Sequence, residues 1–340
     1  MTPCFALALA ASAAWAVAAD PTDPIANIDF APSNESLPFM GIGALSGGGG
    51  TSRLLFDYPE PQRSDILDAL FLPNRGASLQ LLKVEIGGDT QSTEATEASH
   101  MHTRDDGDLA CGACYNRGYE WWLINEAKQR NPAIQLYGLT WGVPGWIGTP
   151  DPRPDPAEDA NARFFSADNL DYHVRWAAGL KKWHGHQLDY MGIWNERGIP
   201  DGLGTDWVVQ LRAALDAEPT GAGKGVSIVA ADCGWSVCDQ LAANATVAAA
   251  VDVIGAHYPI TASPGDKPPP ASCDALGKPL WTSEGWNLGS TNDWAGALNL
   301  AATLNKNWNL DRQQAMIVWT VIYAVRHTCM QPPRAHHLLR

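Results

Sequence analysis

Two hydrophobic periods alternate along the chain. From residue 41 onward, short apolar runs of strand length are separated by longer stretches in which apolar residues recur at helical spacing. The predicted strands are 41–46, 79–85, 134–140, 188–194, 226–231, 251–257, 280–283 and 315–322. Helical spacing is clearest in 66–71, 119–130, 176–183, 206–217 and 294–307. Strands that alternate with helices predict parallel strands joined by crossover helices.

This order of elements favours a closed (β/α)8 barrel, the TIM-barrel fold of class α/β, over an open sheet. The 340 residues exceed the roughly 250 that such a barrel needs and are too few for two full domains. We predict a catalytic barrel over 41–325, after an N-terminal extension over 20–40 that is rich in Pro, Asn and Ser. Two prolines interrupt the tail 326–340, so the barrel is expected to be C-terminally truncated around its eighth βα unit.

Residues 1–19 have the features of a signal peptide. An apolar run from Phe5 to Val17 precedes small residues and Asp20, and neither this run nor any other is long enough to span a membrane. The predicted location is therefore the secretory pathway, with the lysosome or secretion as the destination. In that setting the Asn-X-Ser/Thr sequons at Asn34 and Asn244 are expected to carry glycans.

Composition narrows the choice of partners. The formal net charge is −14, and an acidic surface repels phosphate backbones, so nucleic acid is not an expected partner. The fifteen tryptophans fit a carbohydrate site, because indole faces stack on sugars, although core packing accounts for most of them. The glycine run 47–50 lacks the Gly-Lys-Ser/Thr ending of a phosphate loop, which favours a tight rim loop beside a sugar.

Six cysteines follow the signal peptide. Four of them form two close pairs, Cys111/Cys114 and Cys233/Cys238. In an oxidising compartment each pair could bridge a loop, although spacing alone leaves the pairing open. His100 and His102 lie near the first pair, and such a set could bind zinc. We favour a loop disulfide or incidental thiols there, and we predict no metal and no cofactor.

Two predicted strands end in a glutamate. Asn195 and Glu196 follow the fourth strand, and Glu284 follows the seventh. Strands four and seven face each other across a barrel mouth, and the C-terminal rim is where the catalytic residues of these barrels lie. A lone glutamate after a strand is usually a solvated loop residue. The Asn-Glu pair and a second glutamate on the opposite strand together favour a catalytic pair.

Paired carboxylates of this kind are typical of glycoside hydrolases. Glu284 is predicted to attack the anomeric carbon, and Glu196, with a raised pKa, is predicted to act as acid and then base. A retaining mechanism requires the two carboxyl groups to be roughly 5–5.5 Å apart. Asn195 would bind the sugar 2-hydroxyl. Tyr258, after the sixth strand, either donates a hydrogen bond to Glu284 that keeps it ionised or packs at the rim.

The chain resembles glycoside hydrolase family 59 over about 41–324. The matching runs are GIGALSGGG (41–49), TSRLL (51–55), YPEP (58–61), LKVEIGGD (82–89), SHMH (99–102), RGYEWW (117–122) and DVIGAHYP (252–259). The resemblance implies a retaining β-galactosidase that acts on galactosylceramide and related galactolipids, with Glu196 as acid/base and Glu284 as nucleophile. It also implies a saposin-like protein that presents the lipid.

The same resemblance implies further sugar contacts. Thr93, Trp141 and Asn195 match residues that contact galactose, and Trp319 matches a tryptophan that lines the site floor. The family carries a β-sandwich and a lectin-like domain after the barrel, and one of its sugar-contacting arginines comes from that part. The segment 108–116 looks like an insertion, and the residues after Glu284 diverge from the family. The alternatives are a non-catalytic or unstable fragment of such an enzyme and a related barrel glycosidase with another sugar specificity.

Overall fold

The structure is a computed structural model that describes residues 37–48, 51–93, 95–106, 109–149, 160–259, 267–285 and 294–322. The predicted signal peptide, most of the N-terminal extension, the tail 326–340, the sequon at Asn34 and Cys329 lie outside these ranges. Within them, no helix has the length and apolar character needed to cross a membrane.

Eight parallel strands close into a barrel in sequence order, because β1 pairs with β8 as well as with β2. The strands are β1 (Gly41–Leu45), β2 (Leu81–Glu85), β3 (Gln135–Thr140), β4 (Tyr190–Trp194), β5 (Ser227–Cys233), β6 (Val253–His257), β7 (Leu280–Gly285) and β8 (Ala315–Trp319). The helices are α1 (Gln62–Phe71), α2 (Glu120–Arg130), α3 (Ala160–Phe164), α4 (Ala167–Gly179), α5 (Leu203–Ala217), α6 (Val237–Ala243), α7 (Ala245–Ala250), α8 (Ala271–Ala275) and α9 (Trp294–Asn309). The predicted closed barrel is confirmed.

The strand boundaries follow the apolar runs closely. Every predicted strand is present, and its ends lie within two residues of the prediction except at β8, which stops at Trp319 rather than at residue 322. Strands β2 and β7 are buried along their whole length. Parallel strands that helices cover on the outside bury both faces, which is why they appear in the sequence as continuous apolar runs.

The strands contribute to two apolar layers. One layer lies between the strands and the surrounding helices, and the other fills the barrel interior. Inside the barrel the rings of Tyr137, Tyr190 and Trp281 pack edge to face, with centroids 4.7 to 6.4 Å apart. A barrel filled in this way is a packed core and not a pore. A binding site must therefore form at the rim.

Three residues at the C-terminal rim adopt left-handed backbone conformations. The φ angle is +55° at Glu196, +53° at Asp232 and +49° at Tyr258, values that are uncommon outside glycine. The pairing of β5 with β6 also shifts register between Ala231 and Cys233. Such conformations cost about 1–3 kcal/mol each and persist where the surrounding structure enforces them, which is common at functional sites.

The disulfides settle the pairing that the sequence left open. Of the two close pairs, Cys111 and Cys114 are bonded. Cys233 and Cys238 are not bonded to each other, because Cys238 is bonded to Cys273, 35 residues away, and Cys233 has no disulfide partner among the described residues. Cys238 is buried on α6 and Cys273 is buried on α8, and these two helices contact each other, whereas Cys233 ends β5.

The alternative zinc site is not assembled. The Cys111–Cys114 disulfide leaves no thiolate there to bind a metal. His100 is buried against Tyr172, with ring centroids 4.2 Å apart. Burial lowers the pKa of His100 to about 3. The ring of His102 instead lies 2.7 Å from a carboxylate oxygen of Asp89.

Candidate active site

The two predicted glutamates meet at the rim of the barrel. Glu284 is in β7, and Glu196 lies two residues after the end of β4. One carboxylate oxygen of each, together with a ring nitrogen of His257, lies within 4.8 Å of the others. This separation matches the short spacing of retaining glycosidases and is smaller than the roughly 6.5–9.5 Å of inverting ones.

Glu284 is the enclosed member of the pair. Its side chain is 6% exposed, and its Oε1 accepts a short hydrogen bond from the Tyr258 hydroxyl. Of the two alternatives for Tyr258, the structure has the hydrogen bond to Glu284. The other oxygen, Oε2, is buried and has no hydrogen-bond partner among the described residues. One oxygen is therefore held in place while the other remains available for a ligand.

Glu196 is the open member, with 51% of its side chain exposed. Its Oε1 lies 3.2 Å from Nδ1 of His257. The hydrogen bond from His257 holds the pKa of Glu196 below its usual value, against the smaller opposing effect of burial. The prediction of a raised pKa at Glu196 is therefore wrong for the ligand-free protein, because a histidine donor favours the charged carboxylate.

A buried network that the predictions missed lies beneath Glu196. His257 Nε2 is 3.4 Å from Asp232 Oδ1, and the same oxygen accepts a 2.8 Å hydrogen bond from Lys83 Nζ. Tyr137 donates a 2.5 Å hydrogen bond to the other oxygen, Oδ2. Lys83 and Asp232 are both fully buried. A sequence signal for Asp232 did exist, since it is a carboxylate at the end of a strand like the two glutamates, and Lys83 is a charge within an apolar run.

These contacts set the charge states of the network. Burial raises the pKa of Asp232, but the Lys83 charge and the His257 hydrogen bond outweigh burial and hold the pKa well below its usual range. Burial lowers the pKa of His257, but hydrogen bonds to Asp232 and Glu196 outweigh burial and raise it.

Three predicted sugar-contacting residues lie close to the glycine loop after β1. They are Thr93 in the loop after β2, Trp141 directly after β3, and Trp319 at the end of β8. Trp319 donates from Nε1 to the Gly47 carbonyl at 3.2 Å, and the Thr93 amide donates to the Gly48 carbonyl at 3.2 Å. A Cβ on Gly47 would lie 2.5 Å from the Trp141 ring. Gly48 has a φ of +85°, which glycine adopts without strain. The loop thus lies against all three side chains.

Asn195 completes the rim between β3 and β4. Its amide donates to the Thr140 carbonyl at 2.9 Å, and Trp194 donates from Nε1 to the Trp141 carbonyl at 3.0 Å. The side-chain Oδ1 of Asn195 is buried and has no hydrogen-bond partner among the described residues. Buried polar atoms are rarely left unpaired, so this oxygen is suited to accept a hydrogen bond from a ligand.

A (β/α)8 barrel with two close carboxylates at the ends of its fourth and seventh strands has the arrangement of retaining glycoside hydrolases. The sequence agrees with this class. Residues 39–336 match the sequence profile of glycosyl hydrolase family 59, and the chain belongs to this family.

Two relatives illustrate the similarity. Galactocerebrosidase from Danio rerio is 43% identical over 284 residues, which cover 84% of this chain and 39% of that protein. Galactocerebrosidase from Homo sapiens is 43% identical over 285 residues, which cover 84% of this chain and 37% of that protein. The chain therefore spans about two fifths of the length of these relatives.

Solved structures agree on the fold. SrfJ from Salmonella typhimurium superposes with a TM-score of 0.61 at 17% identity, over 84% of this chain and 65% of that one. The endo-β1,6-glucanase BT3312 superposes with a TM-score of 0.58 at 18% identity, over 84% and 66%. At this level of identity the likeness shows the barrel fold alone.

Proposed function

We propose that the barrel over 41–325 is a retaining β-galactosidase that hydrolyses galactosylceramide and related galactolipids. The observation that carries the proposal is the separation of Glu196 and Glu284, which places one oxygen of each carboxylate within 4.8 Å of the other. That spacing leaves no room for a water between the second carboxylate and the anomeric carbon, so this carboxylate attacks directly.

The two carboxylates have separate tasks in this mechanism. Oε2 of Glu284, which accepts no hydrogen bond from the described residues, attacks the anomeric carbon while Glu196 protonates the leaving oxygen. Water then attacks the glycosyl-enzyme, and Glu196 accepts its proton. Asn195 Oδ1 accepts a hydrogen bond from the sugar 2-hydroxyl, an interaction that strengthens as the oxocarbenium-like transition state forms.

Galactose specificity is proposed from the relatives and from the floor of the site. Both relatives are galactocerebrosidases. Thr93, Trp141 and Trp319, which converge on the glycine loop, would contact the galactose. Since membrane lipids cannot enter a barrel rim unaided, we also propose a saposin-like lipid-presenting partner, a secretory-pathway location ending in the lysosome or outside the cell, and glycosylation at the exposed Asn244.

The proposal is tested by hydrolysis of a fluorogenic β-galactoside, its β-glucoside counterpart and galactosylceramide in mixed micelles. The wild-type chain is compared with Glu284→Gln and with Glu126→Gln, which changes a carboxylate on the outer helix α2. We expect galactoside hydrolysis by the wild type and by Glu126→Gln, release of galactose as the β anomer, and no turnover by Glu284→Gln.

Each other outcome removes part of the proposal. Faster hydrolysis of the glucoside would contradict the sugar specificity, and release of the α anomer would contradict the retaining mechanism. A folded wild-type chain that hydrolyses none of the three substrates would contradict the activity and would favour a non-catalytic fragment.

A further inference from the structure

We propose that Asp232, held by Lys83, is a positioning residue that keeps His257 charged and directed at Glu196, so that His257 stores the proton that Glu196 delivers. The inference rests on the proposed function, because it takes Glu196 as the acid/base. It assigns a task to three residues that direct contact with the substrate does not explain.

The contacts of the His257 ring indicate that it is positively charged. Both ring nitrogens of His257 face carboxylate oxygens: Nδ1 faces Glu196 at 3.2 Å and Nε2 faces Asp232 at 3.4 Å. A neutral imidazole has one N–H and can donate to only one of them, whereas the imidazolium donates to both. A third anion, Glu284, has Oε2 3.7 Å from Nδ1. The ring is therefore built into its site as a cation.

The ion pair of Lys83 and Asp232 lies beneath the His257 ring and keeps Asp232 charged. Lys83 Nζ donates to Asp232 at 2.8 Å and to the Ser283 carbonyl at 3.0 Å, entirely inside the barrel. A buried ion pair contributes little net stability, because desolvation offsets the attraction. Its position at the foot of the active site points instead to a task in fixing the charge of Asp232, and through Asp232 the charge of His257.

Space for this network is provided by a glycine on the neighbouring strand. A Cβ on Gly192 of β4 would lie 2.6 Å from Asp232 Oδ2 and 2.9 Å from the Tyr137 hydroxyl. Any other residue at this position would displace the carboxylate or its tyrosine donor. Because Gly192 has no side chain, Asp232 can contact Lys83, Tyr137 and His257 at the same time.

The proton balance closes over one catalytic cycle. In the free enzyme the proton is on Nδ1 of His257, and both glutamates are ionised. When substrate binds, the proton passes from Nδ1 to Glu196 Oε1 and then to the leaving oxygen as the glycosidic bond breaks and Glu284 forms the glycosyl ester. In the second step the hydroxyl group of a water molecule is added to the anomeric carbon as the ester bond to Glu284 breaks, which releases Glu284 as a carboxylate. The other proton of that water passes to Glu196, which returns it to His257. Nε2 keeps its hydrogen throughout and donates it to Asp232.

Among the described residues, the charged and titratable groups around His257 come from five strands. They are Lys83 on β2, Glu196 after β4, Asp232 on β5, Tyr258 after β6 and Glu284 on β7. Three of the five are anions, one is the lysine already paired with Asp232, and the phenol donates to Glu284. The balance of charge at the ring favours the protonated form, in agreement with the raised pKa of His257.

The first experiment separates a proton store from a merely structural residue. The variant His257→Gln is assayed on an alkyl β-galactoside, whose leaving group needs a proton, and on a dinitrophenyl β-galactoside, whose leaving group does not. We expect kcat/KM to fall on the order of 10²-fold or more for the alkyl substrate, the range of general acid catalysis, and by much less for the dinitrophenyl substrate. Equal losses on both substrates would overturn the proposal.

His186→Gln is the matched control. His186 lies before β4, at the opposite end of the barrel from the glutamates, and contacts Asn125 at 3.0 Å. This substitution should leave the ratio of the two kcat/KM values unchanged. A shift of that ratio in His186→Gln as large as the shift in His257→Gln would also count against the proposal.

The second experiment tests Asp232. Removing its charge in Asp232→Asn destabilises the imidazolium, so the stored proton is lost at a lower pH. The basic limb of the pH profile of kcat/KM for the alkyl substrate should therefore move to lower pH. An unmoved or upward-shifted basic limb in a folded variant would overturn the task assigned to Asp232.

A spectroscopic measurement on the wild type covers the case in which Asp232→Asn, which leaves Lys83 unpaired, fails to fold. In 15N-histidine-labelled protein, the His257 signals are assigned by their loss in His257→Gln. At pH 6.5 we expect both His257 nitrogens to carry protons while His186, whose pKa burial lowers, is neutral. A neutral His257 would refute the proton store. This measurement does not depend on turnover. An inactive wild type would therefore contradict the proposed function, while the NMR signals would still show whether His257 is charged.

Discussion

The two glutamates of the site occupy opposite environments although both lie at the C-terminal end of a strand of the same barrel. The side chain of Glu284 is 6% exposed, and one of its oxygens is fixed by Tyr258. The side chain of Glu196 is 51% exposed and contacts His257. The backbone of Glu196 is in the left-handed conformation. One carboxylate is enclosed by the rim, and the other extends from it.

This difference fits the two tasks proposed for them. A nucleophile gains reactivity when water is excluded and its orientation is fixed. An acid/base must reach the leaving group and later a water molecule, so it needs an open face. The charge of Glu196 is accordingly governed by a neighbouring histidine rather than by burial, which is the part of the site that strand-end patterns did not predict.

The largest expected effect comes from exchanging each carboxylate for its amide. Glu284→Gln should lose turnover on every β-galactoside by on the order of 10⁴-fold or more, since the covalent step is removed. Glu196→Gln should lose roughly 10²–10⁴-fold on an alkyl galactoside while still forming the glycosyl-enzyme from a dinitrophenyl galactoside. Steady-state rates and intact-protein mass measure both. The separate tasks of the two glutamates would be contradicted if both variants lost the same activity on the alkyl and on the dinitrophenyl galactoside.

A smaller effect is expected from the hydrogen bond that orients the enclosed carboxylate. Tyr258→Phe removes the only donor to Glu284 Oε1 recorded among the described residues. Hydrogen bonds to charged groups contribute about 1.5–3 kcal/mol, so kcat/KM should fall roughly 10- to 100-fold. The exposed Tyr58 provides the control variant Tyr58→Phe, which should keep wild-type kinetics. Unchanged kinetics in Tyr258→Phe would mean that the phenol only packs at the rim.

The packing beneath the open carboxylate is tested through Gly192. Gly192→Ala places a Cβ 2.6 Å from Asp232 Oδ2, and overpacking of this kind costs about 1–3 kcal/mol of unfolding free energy. At Gly234 no described residue lies within 4 Å of an added Cβ, so Gly234→Ala should not destabilise the fold. Urea unfolding of both variants measures the difference. Equal stabilities would show that the network tolerates a side chain on β4.

The smallest expected effect is the pH dependence of stability from the His257–Glu196 contact. The folded pKa of His257 is raised, so its contribution is complete below the unfolded value of about 6.5 and is lost as pH rises through the folded pKa. The folded pKa of Glu196 is lowered, so its contribution is complete above about 4.5 and is lost as pH falls. Wild type and His257→Gln should therefore differ most in unfolding free energy between these two values. If the difference in unfolding free energy between wild type and His257→Gln grew above pH 8, the predicted direction of the pH dependence would be wrong.

Much of the fold could be predicted because its signals are local. The apolar runs located all eight strands, since a strand buried on both faces must be apolar along its length. The positions of Glu196 and Glu284 followed from the same pattern, because the end of a parallel strand is also the rim of the barrel. The family resemblance added Thr93, Trp141 and Trp319, and the structure brings these three together at the glycine loop.

The charge network and the second disulfide could not be predicted from spacing. Lys83 and Asp232 are 149 residues apart, and Cys238 and Cys273 are 35 apart. Sequence periodicity states which face of an element is buried and leaves open which buried groups meet. The sequence by itself determined a barrel with two glutamates on its rim. Only the tertiary structure decided that a buried lysine, an aspartate and a histidine meet beneath one of them, because barrel closure places β2, β5 and β6 around a common interior.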